Sequence, residues 1–361
     1  MNLTTNELIN LKYMMKVISI ATWLMLLILA GCGDASPYAE EPSAQERTIT
    51  LNLDITTKAA AEPGESPDNF HLWIFNGDKL LKYITENKGW ETSDVAGIDL
   101  KTTIETEIDA TGISAVQFYL LLNTEVIGPW AMTPAKLKAL TFTLPSQPYS
   151  HDNKVPMSGE AELTGITIGQ TNYEVEIDAE RSVGKLEIYC TKNLQSTNLF
   201  LNTITLGHEP DKGYLVKTPA PNDITYNDDE VSTLFESQDG LGITTVLSGD
   251  LPDNDKLESE YEKGNFTNIS VSSPYLLENL NGGDALQVEG VDETITKKEK
   301  QYYLTLNYTL DESTVTKKIY LTKIERNTLN KVFIRIKEKV FDIEVSYSVK
   351  PWDLVVLTPE F

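Results

Sequence analysis

A cysteine at the end of a short apolar segment is the residue of this sequence whose chemistry is most readily inferred. The apolar run from Val17 to Leu29 follows Lys12 and Lys16 and leads directly into Ala30-Gly31-Cys32. A run of about 13 residues is too short to span a hydrocarbon core of roughly 30 Å, and its flanks are those of a secretory signal peptide. The pattern predicts a bacterial lipoprotein signal at residues 1–31, in which the Cys32 thiol receives a diacylglycerol and the chain is cut before Cys32.

The only other cysteine of the chain is Cys190. If Cys32 carries a lipid, Cys190 has no intramolecular partner, so no disulfide framework is expected. Cys190 ends the segment Leu186–Cys190 (LEIYC), in which alternate residues are apolar. We therefore predict that it is a buried strand residue and not a reactive thiol.

The sequence offers little for metal binding. Two loops, 227–230 (NDDE) and 253–255 (DND), alternate acidic and amide side chains that could bind calcium. They lack the glycine and the terminal glutamate of an EF-hand loop, so solvated loops are favoured and calcium is the alternative. The three histidines, His71, His151 and His208, form no His-x-x-x-His pair of a helical zinc site.

Composition and motifs also argue against several classes of function. The formal charge is −24, and the predicted signal contains two lysines and one glutamate, so its removal leaves the chain more acidic. Nucleic acid phosphates would be repelled. Nucleophile-elbow, phosphate-loop and dinucleotide-binding glycine motifs are missing from the sequence. Paired carboxylates are frequent in so acidic a chain and do not alone indicate a glycosidase. We expect no catalysis and no cofactor.

The first structural element that follows the signal is a strand. Residues 32–47 are small, acidic and proline-containing, which is typical of a tether. The next segment, Thr48–Thr56, alternates strictly, and the period of two predicts a half-buried strand. Its apolar face consists of Ile49, Leu51, Leu53 and Ile55. A loop composition follows from Thr57 to Pro67.

The remaining chain reads as short strands separated by turns, with one short helix that Thr133 caps and Pro134 begins, ending near Leu140. Many strands and few helices indicate a β-sandwich fold. The predicted strands are 70–75, 80–84, 100–108, 116–122, 173–177, 183–190, 198–206, 301–309, 317–324, 331–336 and 341–349.

A series of short segments runs through almost the whole mature chain. The first half contains Thr57–Ala60 (TKAA), Leu72–Gly77 (LWIFNG), Val155–Gly159 (VPMSG) and Ile177–Leu186 (IDAERSVGKL). The second half contains Ser273–Asn279 (SPYLLEN), Ile324–Asn327 (IERN) and Val345–Trp352 (VSYSVKPW). In this order, behind a lipoprotein signal, the series resembles the fimbrillins, the pilus subunits of Bacteroides-type bacteria.

The resemblance implies an all-β fold of two tandem transthyretin-like Greek-key β-sandwich domains, at 48–178 and 179–361, with the boundary just before Arg181. It further implies export to the outer membrane as a lipid-anchored protein, removal of the first strand by a trypsin-like protease, and replacement of that strand by one from a neighbouring subunit of the pilus. Ligands on a host or bacterial surface are further candidate partners.

The residues here match that scheme in part. Lys58 follows the first strand in an Ala/Glu/Pro/Gly loop, where a cut should be accessible, whereas the shaft subunits of the family carry arginine there. A cut at Arg47 would leave the strand in place. The candidate donor strand is Phe341–Leu357. Its groove-filling face would be Ile343, Val345, Tyr347 and Val349, which could equally be the last core strand of the second domain.

Two questions stay open at this stage. The short tail after Trp352 and the lysine at position 58 leave the roles of shaft, anchor and tip subunit as alternatives. A surface lipoprotein that binds glycans is the competing function, because Trp90, Trp130 and Tyr149 could stack on sugar rings.

Overall fold

The computed structural model describes residues 47–57, 66–86, 89–92, 100–146, 149–150, 152–195, 198–218, 223–227, 231–249, 251–254, 256–270, 274–290, 299–337 and 343–351. Several predicted features lie outside these ranges. They are the signal with Cys32, the tether up to residue 46, the candidate protease site Lys58, His151, residues 228–230 and 255 of the acidic loops, residues 341–342 of the candidate donor strand, and the tail after Pro351.

Strands dominate the described chain. In chain order they are β1 (Thr48–Thr57), β2 (His71–Asn76), β3 (Lys79–Ile84), β4 (Glu91–Thr92), β5 (Leu100–Asp109), β6 (Ala115–Leu122), β7 (Thr141–Phe142), β8 (Met157–Thr164), β9 (Asn172–Arg181), β10 (Val183–Lys192), β11 (Leu199–Gly207), β12 (Glu209–Pro210), β13 (Gly213–Tyr214), β14 (Tyr226–Asn227), β15 (Ser232–Gly242), β16 (Thr267–Asn268), β17 (Tyr275–Leu277), β18 (Gln287–Val288), β19 (Tyr303–Leu310), β20 (Ser313–Tyr320), β21 (Thr328–Ile336) and β22 (Ile343–Pro351). The all-β class predicted from the sequence is confirmed.

Helix is scarce in the described residues. There are two short α-helices, α1 (Pro134–Lys138) and α2 (Leu257–Glu262), and a 3₁₀ turn at Pro129–Ala131. Helix α1 begins as predicted, since the Thr133 side chain accepts a hydrogen bond from the Lys136 backbone nitrogen and Pro134 occupies the first helical position. Neither α-helix is long or apolar enough to span a bilayer.

Eight strands of the first half form one sheet, in the order β3-β2-β6-β8-β9-β1-β5-β4. Two parts of this sheet, β3-β2-β6-β8 and β9-β1-β5-β4, are joined by a short pairing, because β8 pairs with β9 only through Met157 and Ser158. Strands β3 and β5 lie near opposite ends of this order, yet the Lys82 Nζ of β3 donates to the Glu107 backbone oxygen of β5 at 3.1 Å. The sheet therefore curls back on itself and encloses a core.

That core collects the apolar faces of both parts of the curled sheet. Strands β1, β5 and β9 contribute one side, and β2, β6 and β8 the other. The alternation predicted for the first strand is the reason, since every second side chain of a strand points to the same face. The residues of this core include Leu51, Leu53, Leu72, Phe118 and Ile177.

The second half of the chain has its own core between two sheets. One sheet has the order β16-β10-β21-β22, with β17 also on β10, and the other has the order β15-β11-β19-β20-β18. Buried residues of both sheets meet in a single cluster. Cys190 belongs to this cluster and is buried, as predicted. Burial raises the pKa of its thiol to about 12, so it is protonated at neutral pH.

The two halves repeat one strand arrangement. Strand β1 lies between an antiparallel neighbour, β5, and a parallel neighbour, β9. Strand β10 likewise lies between antiparallel β17 and parallel β21. The described chain pairs on both sides of β10, whereas β1 is the first strand of the described residues. A single cut after β1 would therefore separate it from everything that follows.

Residues 213–216 connect the halves. Strand β13 pairs with β7, and Leu215 and Val216 pack on the outer face of β2 and β6 beside Trp73. The Ser182 hydroxyl and the Arg326 guanidinium both donate to the Leu215 backbone oxygen, at 2.9 and 3.1 Å. Apolar packing and charge-assisted hydrogen bonds thus join the halves at the start of β10.

Candidate functional site: the position of the first strand

Strand β1 occupies a central place in the curled sheet. All ten of its residues pair with β5, from Thr48 opposite Asp109 to Thr57 opposite Leu100. Eight of them also pair with β9, from Thr50 beside Asn172 to Thr57 beside Ala179. A strand paired on both edges contributes two hydrogen-bond ladders, so its loss would expose two strand edges at once.

The inward face of β1 is completely buried. Ile49, Leu51, Leu53 and Ile55, the candidate displaced residues, all belong to the first core. Thr57 closes the strand, and its hydroxyl lies 3.3 Å from the Met157 sulfur. Without β1 these positions would form an apolar groove between β5 and β9, which is a surface that needs another strand to cover it.

The outward face of β1 is matched to its neighbours by polar contacts. The Asn52 amide donates to a Glu174 carboxylate oxygen at 2.9 Å, and the Thr56 hydroxyl donates to the Asp178 carboxylate. Asp54, the single carboxylate on this face, forms a salt bridge with the Lys101 ammonium at 3.3 Å. The outward face of β1 therefore presents hydrogen-bond donors, Asn52 and Thr56, to the carboxylates of β9. Its one acid, Asp54, forms an ion pair with Lys101, the one base of β5.

Arg47 anchors the beginning of β1. Its backbone nitrogen donates to the Thr111 hydroxyl at 2.9 Å, and its guanidinium donates to the backbone oxygens of Gln170, at 2.6 Å, and Thr167. These contacts engage the side chain that a trypsin-like protease would have to recognise. A protease that cut after Arg47 would first have to break these contacts.

The candidate donor residues lie in β22, at the edge of the second half. All nine residues of β22 pair with β21 in antiparallel register, and β22 ends the order of its sheet. Burial falls along the strand: Ile343 is 4% exposed, Val345 and Tyr347 are half-buried, and Val349 is 43% exposed. The strand is therefore anchored at its beginning and only loosely covered at its end.

Polar contacts hold β22 against other segments. They are Ser346 Oγ to Asn254 Oδ1 at 2.7 Å, the Tyr347 hydroxyl to the Asp284 backbone oxygen at 2.5 Å, and the Lys350 ammonium to the Glu258 carboxylate. Glu344 pairs with the basic groups of Arg335 and Lys337. All of these contacts would have to break for β22 to leave its sheet.

Comparison with known proteins gives the fold. No protein-family model and no curated protein sequence matches the chain. The tip fimbrial protein Mfa3 of Porphyromonas gingivalis, solved with a C-terminal truncation, matches with a TM-score of 0.53 and 12% identity, over 84% of this chain and 100% of that chain. A proposed cell adhesion protein of Parabacteroides distasonis matches with a TM-score of 0.50 and 14% identity, over 86% and 98%.

This chain has the fold of fimbrial proteins. The resemblance inferred from the short segments is thus confirmed for the fold, and identities this low establish the fold alone. The match includes nearly the full length of both solved chains, so both halves of the described fimbrial-type fold take part in it.

The carboxylate of Glu258 pairs with Lys350 near the end of β22 and with Lys331 of the neighbouring strand β21. Burial would raise its pKa, but hydrogen bonds from Lys350 and Lys331 outweigh burial and lower it. A lowered pKa in the folded state means that the contribution to stability is complete above the ordinary glutamate range. It is lost as the pH falls through the lowered pKa.

We expect the E258Q variant to melt at a lower temperature than the wild type near pH 6, because the amide cannot pair with the two lysines. The difference should shrink as the pH falls through the lowered pKa of Glu258, where the wild-type carboxyl also becomes neutral. Scanning calorimetry at several pH values measures both effects. E262Q, on an exposed position of the same helix, is the control and should track the wild type. A pH-independent difference for E258Q would contradict the assignment.

The aromatic residues considered for glycan binding lie in different environments. Trp90 packs against the first core. Tyr149 meets Tyr275 edge-on with ring centroids 4.9 Å apart, and burial raises the pKa of its hydroxyl. Trp130 is 70% exposed, and its ring packs edge-on against Tyr83 with the ring centroids 4.8 Å apart. Only Trp130 of these three presents a largely open ring.

The remaining candidate groups lie apart from one another. His71 bonds to the Tyr83 hydroxyl at 2.6 Å, and His208 bonds to the Gln301 backbone oxygen at 2.9 Å. Asn254, in the second acidic loop, accepts the Ser346 hydroxyl. Among the described residues, no group of three or more His, Cys, Asp or Glu side chains is arranged to hold a metal ion.

Sequence reasoning did not find the partners of the outward face of β1. Glu174 and Asp178 reach Asn52 and Thr56 across more than a hundred residues of chain, and such pairing leaves no local pattern. The available signal was the alternation of acidic and apolar residues in Tyr173–Ile177, which predicted a strand but not its neighbour.

Proposed function

We propose that this chain is a structural subunit of a cell-surface pilus (fimbria), exported as a lipoprotein and assembled by strand exchange after proteolytic removal of its first strand. The observation that carries the proposal is the position of β1, which is paired on both edges, buried on one face and first in the described chain. A cut after Lys58 would free β1 together with the lipid on Cys32.

Removal of β1 creates a demand for a replacement strand. The edges of β5 and β9 would present unpaired backbone groups, and the first core would lose one of its walls. A donor strand with apolar residues at alternate positions restores both the hydrogen-bond ladder and the core. The donor in this proposal is Phe341–Leu357 of a neighbouring subunit, with Ile343, Val345, Tyr347 and Val349 facing the groove.

The proposal includes two tandem transthyretin-like sandwich domains, at 48–178 and 179–361. Two separate hydrophobic cores and the repeated arrangement of strands around β1 and β10 support this division. In the proposed assembly the first domain accepts a strand and the second supplies one, so each subunit has one acceptor and one donor site.

The partners are other pilus subunits, in a homopolymer or a heteropolymer, and the outer membrane through the lipid. Catalysis, a cofactor and nucleic acid have no place in this function. Acylated Cys32 at the N-terminus of the protein from surface filaments would identify an anchor subunit. Ala59 at that position would identify a cleaved shaft or tip subunit.

The test uses purified protein without its lipid signal and a trypsin-like protease. We expect cleavage after Lys58, followed by a ladder of SDS-resistant oligomers. The K58A variant should stay monomeric, whereas R47A should assemble, since a cut at Arg47 leaves β1 in place. Oligomers formed by uncleaved K58A would refute strand exchange, and cleaved wild-type protein that remains monomeric would refute exchange between copies of this chain.

Exposure of Trp130 favours a second candidate, a surface glycan-binding lipoprotein or tip adhesin. Sugars stack on open aromatic faces, and the ring of Trp130 is 70% exposed. Unassembled monomers that bind a polysaccharide, and lose that binding in W130A, would favour this function. A tip subunit could combine both activities.

A further inference from the structure

The polar groups beside β1 give the groove a direction. On β5 the first half of β1 faces three carboxylates: Asp109 opposite Thr48, Glu107 opposite Thr50 and Glu105 opposite Asn52. The end of β1 faces a base, Lys101 opposite Thr56. Two lysines lie near this acidic end. The charge of Lys79 acts on Asp109, and the Lys82 ammonium donates to the Glu107 backbone oxygen. The carboxylates of this end, with Glu174 of β9, outnumber them.

The outward face of β1 follows this direction. Its positions beside the three carboxylates carry neutral side chains, and its only charge, Asp54, lies within 3.3 Å of Lys101. Asp54 also lies beside Glu176 of β9. The structure thus accommodates a carboxylate at this position beside Glu176 because Lys101 pairs with it.

The candidate donor strand also has a charge direction. Between Ile343 and Lys350 its outward side chains are Glu344 near the beginning, Ser346 and Ser348 in the middle, and Lys350 near the end. Its four apolar side chains have the same alternate spacing as the four of β1. When the face assigned to the donor, Ile343, Val345, Tyr347 and Val349, occupies the four apolar positions of the groove, two arrangements are possible, one for each direction of the strand.

We propose that the C-terminal strand of a second copy of this chain enters the groove in the direction opposite to β1. Val349 then takes the place of Ile49, and Ile343 takes the place of Ile55. The proposal rests on the proposed function and specifies the orientation of its donor. In this arrangement Glu344 replaces Asp54 within reach of Lys101, and Lys350 lies opposite Asp109.

The other direction is less favourable. Glu344 would take the place of Thr50, directly opposite Glu107, and Lys350 would take the place of Thr56, directly opposite Lys101. Like charges at opposing positions destabilise strand pairing. Lys350 would gain a neighbour in Asp178, so one attractive contact stands against two repulsive ones. The reversed strand keeps two attractive contacts. Its repulsions are Glu344 beside Glu176, which already exists for Asp54, and Lys350 near Lys79, whose charge acts on Asp109.

Cysteine cross-linking distinguishes the directions. In the reversed donor Ser348 occupies the position of Thr50, which pairs with Asn172 of β9. In the parallel donor it occupies the position of Asp54, which pairs with Glu176. Directly opposed residues of antiparallel strands have Cα atoms about 4.5–5.5 Å apart, within the range for a disulfide. The S348C variant is mixed with N172C or with E176C, treated with the protease and oxidised.

We expect a disulfide-linked dimer from S348C with N172C, and none from S348C with E176C, on a non-reducing denaturing gel of samples heated until the non-covalent ladder dissociates. The opposite result would overturn the reversed orientation, and so would polymers that form neither link. Each variant must give the wild-type ladder under reducing conditions, which shows that strand exchange has occurred. Absence of the ladder in the wild-type protein itself would refute exchange between copies of this chain and, with it, the orientation.

Discussion

A chain that begins at Ala59 is expected to lose the cooperative unfolding of its first half and to regain it when a peptide with the sequence of residues 341–357 is added. The four buried side chains of β1 contribute about 1.5–3 kcal/mol each, roughly 6–12 kcal/mol together. Net stabilities of domains are only about 5–15 kcal/mol, so the first core should not survive without β1. Scanning calorimetry with and without the peptide measures the effect.

Two peptides control this experiment. A peptide of residues 47–57 should restore the transition, because it reproduces the native strand. The 341–357 peptide with Val345→Asp and Tyr347→Asp should fail, since it would place carboxylates in an apolar groove. An unchanged melting profile of the chain from Ala59 alone would mean that β1 is dispensable, which contradicts the role assigned to it.

Val349→Asp is expected to leave the monomer folded and to abolish assembly. In the monomer Val349 is 43% exposed, and substitutions at such sites usually change stability by about 0.5 kcal/mol or less. In the groove the same side chain would replace a fully buried residue of β1. An unpaired buried carboxylate costs several kcal/mol, which corresponds to a loss of assembly of more than about 100-fold. Melting temperature and the protease-triggered ladder are the two readouts.

Val231→Asp is the matched control for this variant. Val231 is 48% exposed and precedes β15, away from β1 and β22 in the sheet order. It should alter neither readout. If V349D assembled at the wild-type rate, β22 would not be the inserted strand. If its monomer failed to fold, the segment would be an essential core strand of the second half.

The choice between a donor strand and a core strand, left open by the sequence, becomes a question about the two ends of β22. Ile343 is buried in the second core, and Val345 packs against it, which is what a core strand requires. Val349 and the polar contacts of Ser346 and Lys350 lie at the surface. Release would begin at the exposed end, where few apolar contacts are lost, and the buried end would resist it.

Local patterns predicted the strands that have strong alternation or long apolar runs. Thr48–Thr57, Leu100–Asp109 and Ala115–Leu122 lie within two residues of their predicted bounds. The predicted strand at 317–324 is displaced, because the hairpin turn at Asp311–Glu312 brings residues 313–320 against β19. Apolar residues Leu321 and Ile324 are buried after the strand has ended.

The elements that local patterns missed are those whose pairing comes from distant chain. Strand β8 contains Gly159 and two glutamates, which have low strand propensity, yet it pairs along its full length with β6. Strand β15 is polar and irregular, and its pairing with β11 is interrupted by register shifts. Leu257 of helix α2 packs on Tyr189 and Phe333. The sequence of this segment has no helical periodicity that would have predicted the helix.

The sequence by itself determined which side chains of β1 and β22 share a face, because alternation follows from the geometry of a single strand. It also determined the all-β class, since strand patterns far outnumber helical ones. Only the tertiary structure decided that β1 lies between β5 and β9, that Asp54 meets Lys101, and that β22 sits on β21 with one end exposed. Those facts depend on which distant strands pair and in which register, and hydrogen bonds between strands leave no signal within either strand.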